Sequence, residues 1–584
     1  MKVNGKIIKK CYYIAVIAAL AVFAVSIPLT HGNSMKVYLW KAGSSFYDFF
    51  YCIKSAIYWN RAEIYQTRNI YPPLANVFYM MITACMSGET LQKMQSTGVN
   101  DLKMLQECAF YFVLYMNVLL LFFSVVCASL KKGTKAEKIV FTISMLFTVP
   151  FLYQYERGNI IFLALCFTML FFLWKDSENR ILRELSFLSL AGAAGLKIYP
   201  AVFGLLLVRE KRYKEAVRLM IYGLLSFFLP FLCFGGFLGN IKKMISNMKT
   251  VTAEFASVRV GCQLNYSATL KNLLGWMENY SVAVITIVLI LAFALGILAA
   301  FGLKEKWKLV LLLTCLMMGI PSFSYTYVGI FMVLPVIAFL DGSETHKKRD
   351  LGYLVGMLLV LLPLPFCWME GAGDSAYTYL NVSTPVLVEG CSILVMTVFL
   401  ILEGLGGLWH TAKHRILLLV LAGVLFVGSI AAGIYRSRQP YDFTNYLKKT
   451  LGEATEIKDG DCLAQEFQAK GTRIDRIVLK LNPAKEGVLT CRLVEKETGK
   501  TIWESSLQSA DLKNGYNEIV FDASKQLEKD SWYEVVLEPQ KTGDGVYKIY
   551  HTAENLKSKA GYATLNESDT GWYLGIQIYQ YGGV

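Results

Sequence analysis

Asp48 stands in the run Ser44-Ser45-Phe46-Tyr47-Asp48-Phe49-Phe50, an acid set among aromatic rings. Arg61-Ala62-Glu63-Ile64-Tyr65 and Tyr71-Pro72-Pro73-Leu74 follow it closely. Aromatic, partly apolar surroundings at a membrane surface disfavour a carboxylate's charge and make it a better proton acceptor, which suits a general base. A solvated loop acid is the plainer alternative. Pro72-Pro73 stiffens the chain and forces an extended approach to the next helix, enough to hold the loop against a bundle. Arg61 and Glu63 can pair within that loop, and Glu156 is a secondary acid.

Two cations stand out by position. Lys197 interrupts an apolar stretch, and Arg157 sits at a turn between two others. A cation at membrane depth is costly enough to mark function by default; a snorkelling lysine or an outer-edge arginine anchor is the alternative. Asn265-Tyr266-Ser267 either lines a groove or caps a short surface helix. It is also a formal glycosylation sequon, as are Asn279-Tyr280-Ser281 and Asn381-Val382-Ser383. No clustered carboxylates argue for a metal, and nothing in the chain calls for a cofactor.

The elements that must position these residues are membrane helices. Of 584 residues, 55% are hydrophobic, 14% aromatic and only 17% charged, with a mean hydropathy of +0.42. Soluble proteins carry about 25% charged residues, so an ordinary soluble enzyme is excluded, as are disordered and small disulfide-rich classes. The net charge is +14, unevenly spread. From residue 440 onward 18 Lys and Arg face 22 Asp and Glu, whereas the preceding part holds 40 against 22. Basic excess in a membrane region points to cytoplasmic loops, and no basic-aromatic motif supports nucleic-acid binding. The 13 cysteines include no C-x-x-C pair. Most lie in apolar runs as buried hydrophobes, while Cys462 and Cys491 in the tail are able to pair in an oxidising compartment.

Apolar stretches place spans at the N-terminus (Cys11 to Leu29) and near 109–130, 139–156, 159–174, 216–234, 280–302, 309–325, 327–340, 351–368, 384–405 and 416–435. The expected fold is a polytopic all-α membrane bundle of about 11 to 14 segments by span length. Lys131-Lys132-Gly133-Thr134-Lys135, Arg209-Glu210-Lys211-Arg212, Lys304-Glu305-Lys306, His346-Lys347-Lys348-Arg349 and Lys413-His414-Arg415 belong inside the cell, together with the N-terminus. Residues 31–72, 235–279 and 369–383 and the turns near 156–159 and 325 then face outside. Residues 72–87 and 185–208 resist this scheme, because a full crossing would reverse the flanking loops. A broken or re-entrant pair meeting at Lys197-Ile198-Tyr199-Pro200 resolves the second.

The tail changes character. Short alternating runs such as Arg476-Ile477-Val478-Leu479-Lys480-Leu481 and Tyr533-Glu534-Val535-Val536-Leu537 alternate with breakers such as Asn482-Pro483. This pattern predicts a C-terminal extracytoplasmic β-sandwich over residues 439–584, following a membrane domain over 1–438. Trp503, Trp532 and Trp572 are more simply its core than platforms for sugars.

One ordered set of strings carries a resemblance. It runs from Asp48 after the first helix to Tyr65, shortly before Tyr71-Pro72-Pro73-Leu74. It continues with the turn Arg157-Gly158-Asn159, the small-residue helix Ala191-Gly192-Ala193-Ala194-Gly195-Leu196-Lys197-Ile198-Tyr199-Pro200, then Asn265-Tyr266-Ser267 and Ser324-Tyr325-Thr326-Tyr327. In this order they resemble the polyprenyl-phosphate-sugar-dependent glycosyltransferases of the GT-C superfold, most closely glycosyltransferase family 87, which includes mannosyl- and arabinosyltransferases. Two positions depart: the glutamine of the family's Gly-Gln-x-Asn turn is lost, and Tyr327 stands where a histidine is usual.

The resemblance implies inverting transfer of a hexosyl or pentosyl group from a polyprenyl-phosphate donor to an envelope glycan or glycolipid, on the outer face of the membrane. Asp48 would take the acceptor hydroxyl's proton. Lys197 and Arg157 would stabilise the departing phosphate. Tyr65, Tyr71, Asn159, Asn265, Ser267 and Tyr327 would line the substrate pocket. The competing readings are a transporter or flippase of lipid-linked sugars, a polymerase or ligase of whole glycans, and a bundle that merely anchors the sandwich. Transport would favour paired halves with matching broken helices, and only one clear break is found.

Overall fold

The computed structural model describes the chain except residues 1, 37–44, 58–63, 66–68, 259–262, 274–281, 322–323, 343–344, 365–383, 410–423, 426, 432–440, 446–452, 470–471, 529, 553–561 and 582–584. Arg61, Glu63, the Lys413 cluster, the segment 369–383, the sequons at Asn279 and Asn381 and most of the 416–435 stretch therefore lie outside the described residues. The chain divides into two compact units: residues 1–276 with 288–426, and residues 277–287 with 427–584.

The first unit is helical. Asn4 caps the helix Gly5–Leu29, its side chain accepting the Lys6 N–H at 2.8 Å. Thr134 and Glu137 form a capping box at the start of Lys135–Leu146. A 57° bend follows, and Pro150, which needs no N–H in a first turn, opens the helix Val149–Arg157. Among the described residues four helices are long and apolar enough to cross a membrane: Gly5–Leu29, Gln106–Leu130, Tyr213–Cys233 and Pro385–Trp409. The bent pair makes a fifth, and shorter apolar helices fill in between. Phe110, Val113, Val118, Leu121 and Val125 stand exposed along Gln106–Leu130, a face suited to lipid rather than water.

One end of these helices gathers ion pairs. Lys131 and Lys9 both meet Asp341, at 2.5 and 3.4 Å. Lys175 meets Glu210 at 2.7 Å, and Lys308 meets Glu403 and Asp350 at 2.7 and 3.0 Å. The strand Lys2–Asn4 pairs antiparallel with Thr345–Lys347 at the same end. The clusters grouped by sign in the sequence are thus joined in space, apart from the one outside the described residues.

The two awkward stretches both turn back. Arg180–Leu196 leaves this end, breaks at an extended Lys197 (φ −147°, ψ 124°), and returns through Tyr199–Gly204 and Leu205–Arg209. The return is fixed by Lys175 on Glu210 and by Arg212, which donates to the Lys175 carbonyl at 2.8 Å. Lys197 is the tip of that re-entrant hairpin. The 12-residue helix Pro73–Ala84 rises about 18 Å against a hydrocarbon thickness of about 30 Å. Just past its end, the Cys85 carbonyl accepts from the Tyr111 hydroxyl at 2.7 Å, and the Ser87 N–H donates to Glu107 at 2.8 Å. Both partners lie in the opening turns of Gln106–Leu130, at the end remote from Lys131. The 22-residue helix Phe237–Val258 occupies part of the stretch 235–279, which the sequence reading takes as an outer loop.

The second unit is built from two antiparallel sheets. The first orders Ser568–Asp569, Ala563–Leu565, Leu463–Gln468, Trp532–Gln540, Val488–Glu495 and Thr501–Gln508. The second centres on Arg473–Asn482, paired with Ile576–Tyr581 and Gly515–Gln526. Alternation sends Ile477, Leu479 and Leu481 inward, where they share one core with Leu463, Phe467, Leu493 and Val535 of the first sheet. Trp503 is in that core, stacked on Phe521 at 3.9 Å, and the half-buried Trp572 stacks on His551 at 4.1 Å. Cys462 and Cys491 are free thiols, Cys491 buried.

Candidate active site

The site begins with a pinned helix start. Phe46 adopts a left-handed conformation (φ 64°) and donates its N–H to the Glu156 carbonyl at 2.6 Å. This sets the first turn of Tyr47–Ala56 against the last turn of Val149–Arg157. Asp48 lies in that first turn, where the helix dipole favours an anion. Gly158 then closes Val149–Arg157 with φ 63°. A Cβ there would stand 2.7 Å from the Phe112 ring and 3.1 Å from the Phe49 Cβ, so only glycine fits both the conformation and the space.

This turn delivers two groups to one carboxylate. The Arg157 guanidinium donates to Asp48 Oδ1 at 2.5 Å, and the Asn159 amide donates to Oδ2 at 2.7 Å. Asn159 Nδ2 also donates to the Tyr71 hydroxyl at 3.0 Å, and Oδ1 accepts the Ile161 N–H at 3.0 Å. Its carbonyl accepts from the Gln154 amide at 2.5 Å and from the Tyr115 hydroxyl at 3.3 Å. Asn159 is fully buried, whereas the Asp48 side chain keeps 15% exposure. The sequence suggests an acid among rings alone; the structure gives it a cation and an amide as partners, each satisfying one oxygen.

Tyr71 links this cradle to the second cation. The Lys197 ammonium sits over its ring, 4.1 Å from the centroid. Asp48 and Lys197 also interact electrostatically. The backbone of Tyr71 is fixed by Asn69, which accepts its N–H at 2.8 Å, and by Tyr65 and Asn76, which donate to its carbonyl at 3.1 and 3.2 Å. Asn247 of the helix Phe237–Val258 donates to the carbonyls of Tyr65 and Asn69 at 2.5 and 3.0 Å. Tyr65 is fully buried beside Phe231 and Phe234 and so acts on the site through Tyr71.

Tyr327 stacks on Tyr153, a residue of the same helix as Arg157, at 5.9 Å, which sets it near the Asp48 cradle. Asn265 and Ser267 stand apart. Asn265 caps the helix Tyr266–Leu273 by accepting the Ala268 N–H at 2.8 Å, and Ser267 is half-buried in its first turn. Their tie to the site runs through Gln263, which bridges to Tyr325. Asn69, Asn76, Asn247, Tyr153 and Gln154 are the members that sequence reasoning missed; an isolated asparagine in an apparent loop carries no distinguishing signal.

A carboxylate, two cations and several hydroxyl and amide groups thus converge, a set whose chemistry would suit moving a proton beside a departing anion. Among the described residues no three His, Cys, Asp or Glu stand together as metal ligands.

Residues 69–320 match the model of glycosyltransferase family 87. The match covers less than half of the chain and indicates a glycosyltransferase region, nearly all of it within the helical unit. It includes Tyr71, Arg157, Asn159, Lys197, Asn265 and Ser267, whereas Asp48, Tyr65 and Tyr327 lie outside it. No curated protein matches the chain.

Proposed function

We propose that the chain transfers a hexosyl or pentosyl group from a polyprenyl-phosphate donor to an envelope glycan or glycolipid acceptor, with inversion, on the outer face of the cell membrane. The observation that carries this reading is the Asp48 carboxylate held between Arg157 and Asn159, with Lys197 on the adjoining Tyr71 ring. Asp48 takes the acceptor's hydroxyl proton as the oxygen attacks the anomeric carbon. The polyprenyl phosphate leaves as an anion, and Lys197 and Arg157 balance its charge. Tyr71 and Tyr327 line the pocket, while Asn159 and Tyr65 hold the parts that do.

Orientation follows from charge. Lysines and arginines crowd the helix ends remote from Asp48, and such ends stay in the cytoplasm. The N-terminus is then cytoplasmic, and the pocket opens outward. In the same reading the two sheets of the second unit form an extracytoplasmic β-sandwich.

The test is to incubate the purified protein with a panel of polyprenyl-phosphate sugars and envelope acceptors, with Asp48→Asn as control. Product from one donor, lost in the variant, is the expected result. Transfer by the variant at the wild-type rate removes Asp48 as the base.

A further inference from the structure

Beyond the Asp48 cradle, a second group of buried polar atoms lies along the Tyr325–Tyr327 segment. Gln263 Nε2, Thr269 Oγ1, Ser324 Oγ and Glu389 Oε2 have no hydrogen-bond partner among the described residues. All four side chains belong to residues no more than 3% exposed. Leaving so many buried donors and acceptors unmade is costly, and native proteins do so rarely.

The four come from neighbouring segments. Gln263 bridges to Tyr325, and the Leu264 N–H donates to the Ser324 carbonyl at 2.6 Å. Thr269 lies so close to Gly390 that a Cβ there would collide with its hydroxyl. Glu389, next in the chain, reaches the Thr326 side chain. Thr326 in turn precedes Tyr327, which couples to Asp48 and Arg157. Glu389 is also a carboxyl within an apolar helix, Thr384–Trp409, where an ionisable group marks function by default.

We propose that Glu389, Gln263, Ser324 and Thr269 form a subsite that grips the hydroxyls of a glycosyl group beside Asp48. This inference rests on the glycosyltransferase reading above. The chemistry selects the ligand class. A carboxyl accepts, a primary amide donates, and two hydroxyls do either, which matches sugar hydroxyls that both donate and accept. A phosphate would call for a cation, and none of the four is one. An isoprenoid chain would call for apolar walls. The sugar belongs either to the donor or to the acceptor.

The experiment is a deoxy scan with the full-length protein in lipid nanodiscs. Donors are polyprenyl-phosphate mannose, glucose and arabinose with their monodeoxy analogues; acceptors are the methyl glycosides of the same sugars with theirs. Sites built to bond a hydroxyl reject analogues lacking it strongly. The wild type should therefore lose about 100-fold or more in kcat/KM on one analogue. Glu389→Gln should lower kcat/KM for the parent sugar and close that gap to within about threefold. Discrimination among donors assigns the subsite to the transferred sugar, and discrimination among acceptors assigns it to the acceptor. If Glu389→Gln fails to fold, Ser324→Ala, which removes one buried oxygen, carries the same expectation. Equal loss on parent and deoxy sugars, as buried water or a purely structural role would give, overturns the inference and leaves Asp48 untouched. A wild type that transfers no sugar overturns both.

Discussion

Two charge clusters occupy opposite ends of the helical unit, and they are built differently. At the basic end the buried lysines Lys131, Lys175 and Lys308 each meet carboxylates. Lys308, with no side-chain exposure, meets Glu403, Asp350 and Glu305 at 2.7, 3.0 and 3.5 Å. At the other end Lys197 rests on a tyrosine ring, and no ion pair of its own is formed among the described residues. Asp48 is bonded by Arg157 and Asn159 but keeps part of its surface open. Charges that hold helices together are neutralised by each other. The charges around Asp48 are held in place with capacity to spare.

Asp48→Asn is the largest expected break in that contrast. The amide keeps an oxygen for Arg157 and fills the same space, yet it takes no proton. Transfer should fall about 100- to 10,000-fold, read as product formed per minute, well beyond the loss of stability that follows from leaving the Arg157 guanidinium without its carboxylate. An equal loss of stability and activity would mean that Asp48 is as structural as Asp341.

Lys308→Met exchanges one outcome for the other. It strands Asp350 and Glu403 without their buried cation, which costs about 3–5 kcal/mol, so the unfolding midpoint should drop sharply. Lys197→Met leaves no carboxylate stranded. Its unfolding midpoint should stay near the wild type while transfer falls about 100-fold. Matching stability losses in the two variants would erase the distinction between the ends.

Much of the basic end was legible because like charges cluster in short loops and membranes sort them by sign. Lys197 announced the helix break for a related reason: a cation followed by Pro200 interrupts an otherwise apolar stretch. The alternation in Arg473–Asn482 and Trp532–Gln540 likewise displays which side chains face the core. Contacts across distance were another matter. Asp48 and Arg157 are 109 residues apart, and nothing in either string names the other. The asparagines that fix Tyr71 were invisible because one amide reads like any loop residue until its partners are known. Residues 237–258 read as loop because Lys242, Lys243 and Asn247 dilute their hydropathy, although they form one helix.

Gly158→Ala tests the geometry of the site with no charge removed. The backbone must hold φ 63° against an added Cβ, and Phe112 must move. A loss of about 1–3 kcal/mol in stability is expected. Activity should fall further than that loss explains, because the residues on either side of Gly158 are the two that bond Asp48. Unchanged transfer would show that the carboxylate tolerates movement of both partners.

The smallest effect supplies the baseline for both ends. Lys93 and Glu89 pair at 2.6 Å, one helical turn apart, with side chains 58% and 77% exposed. Water solvates each charge whether or not the other is present, so holding two long side chains together returns little. Lys93→Ala should leave the unfolding midpoint within the error of the measurement and transfer at the wild-type rate. A larger effect would show that charge pairing matters in this chain irrespective of burial. The contrast between Lys308 and Lys197 would then reflect the number of partners alone, and the open side of Asp48 would lose its meaning.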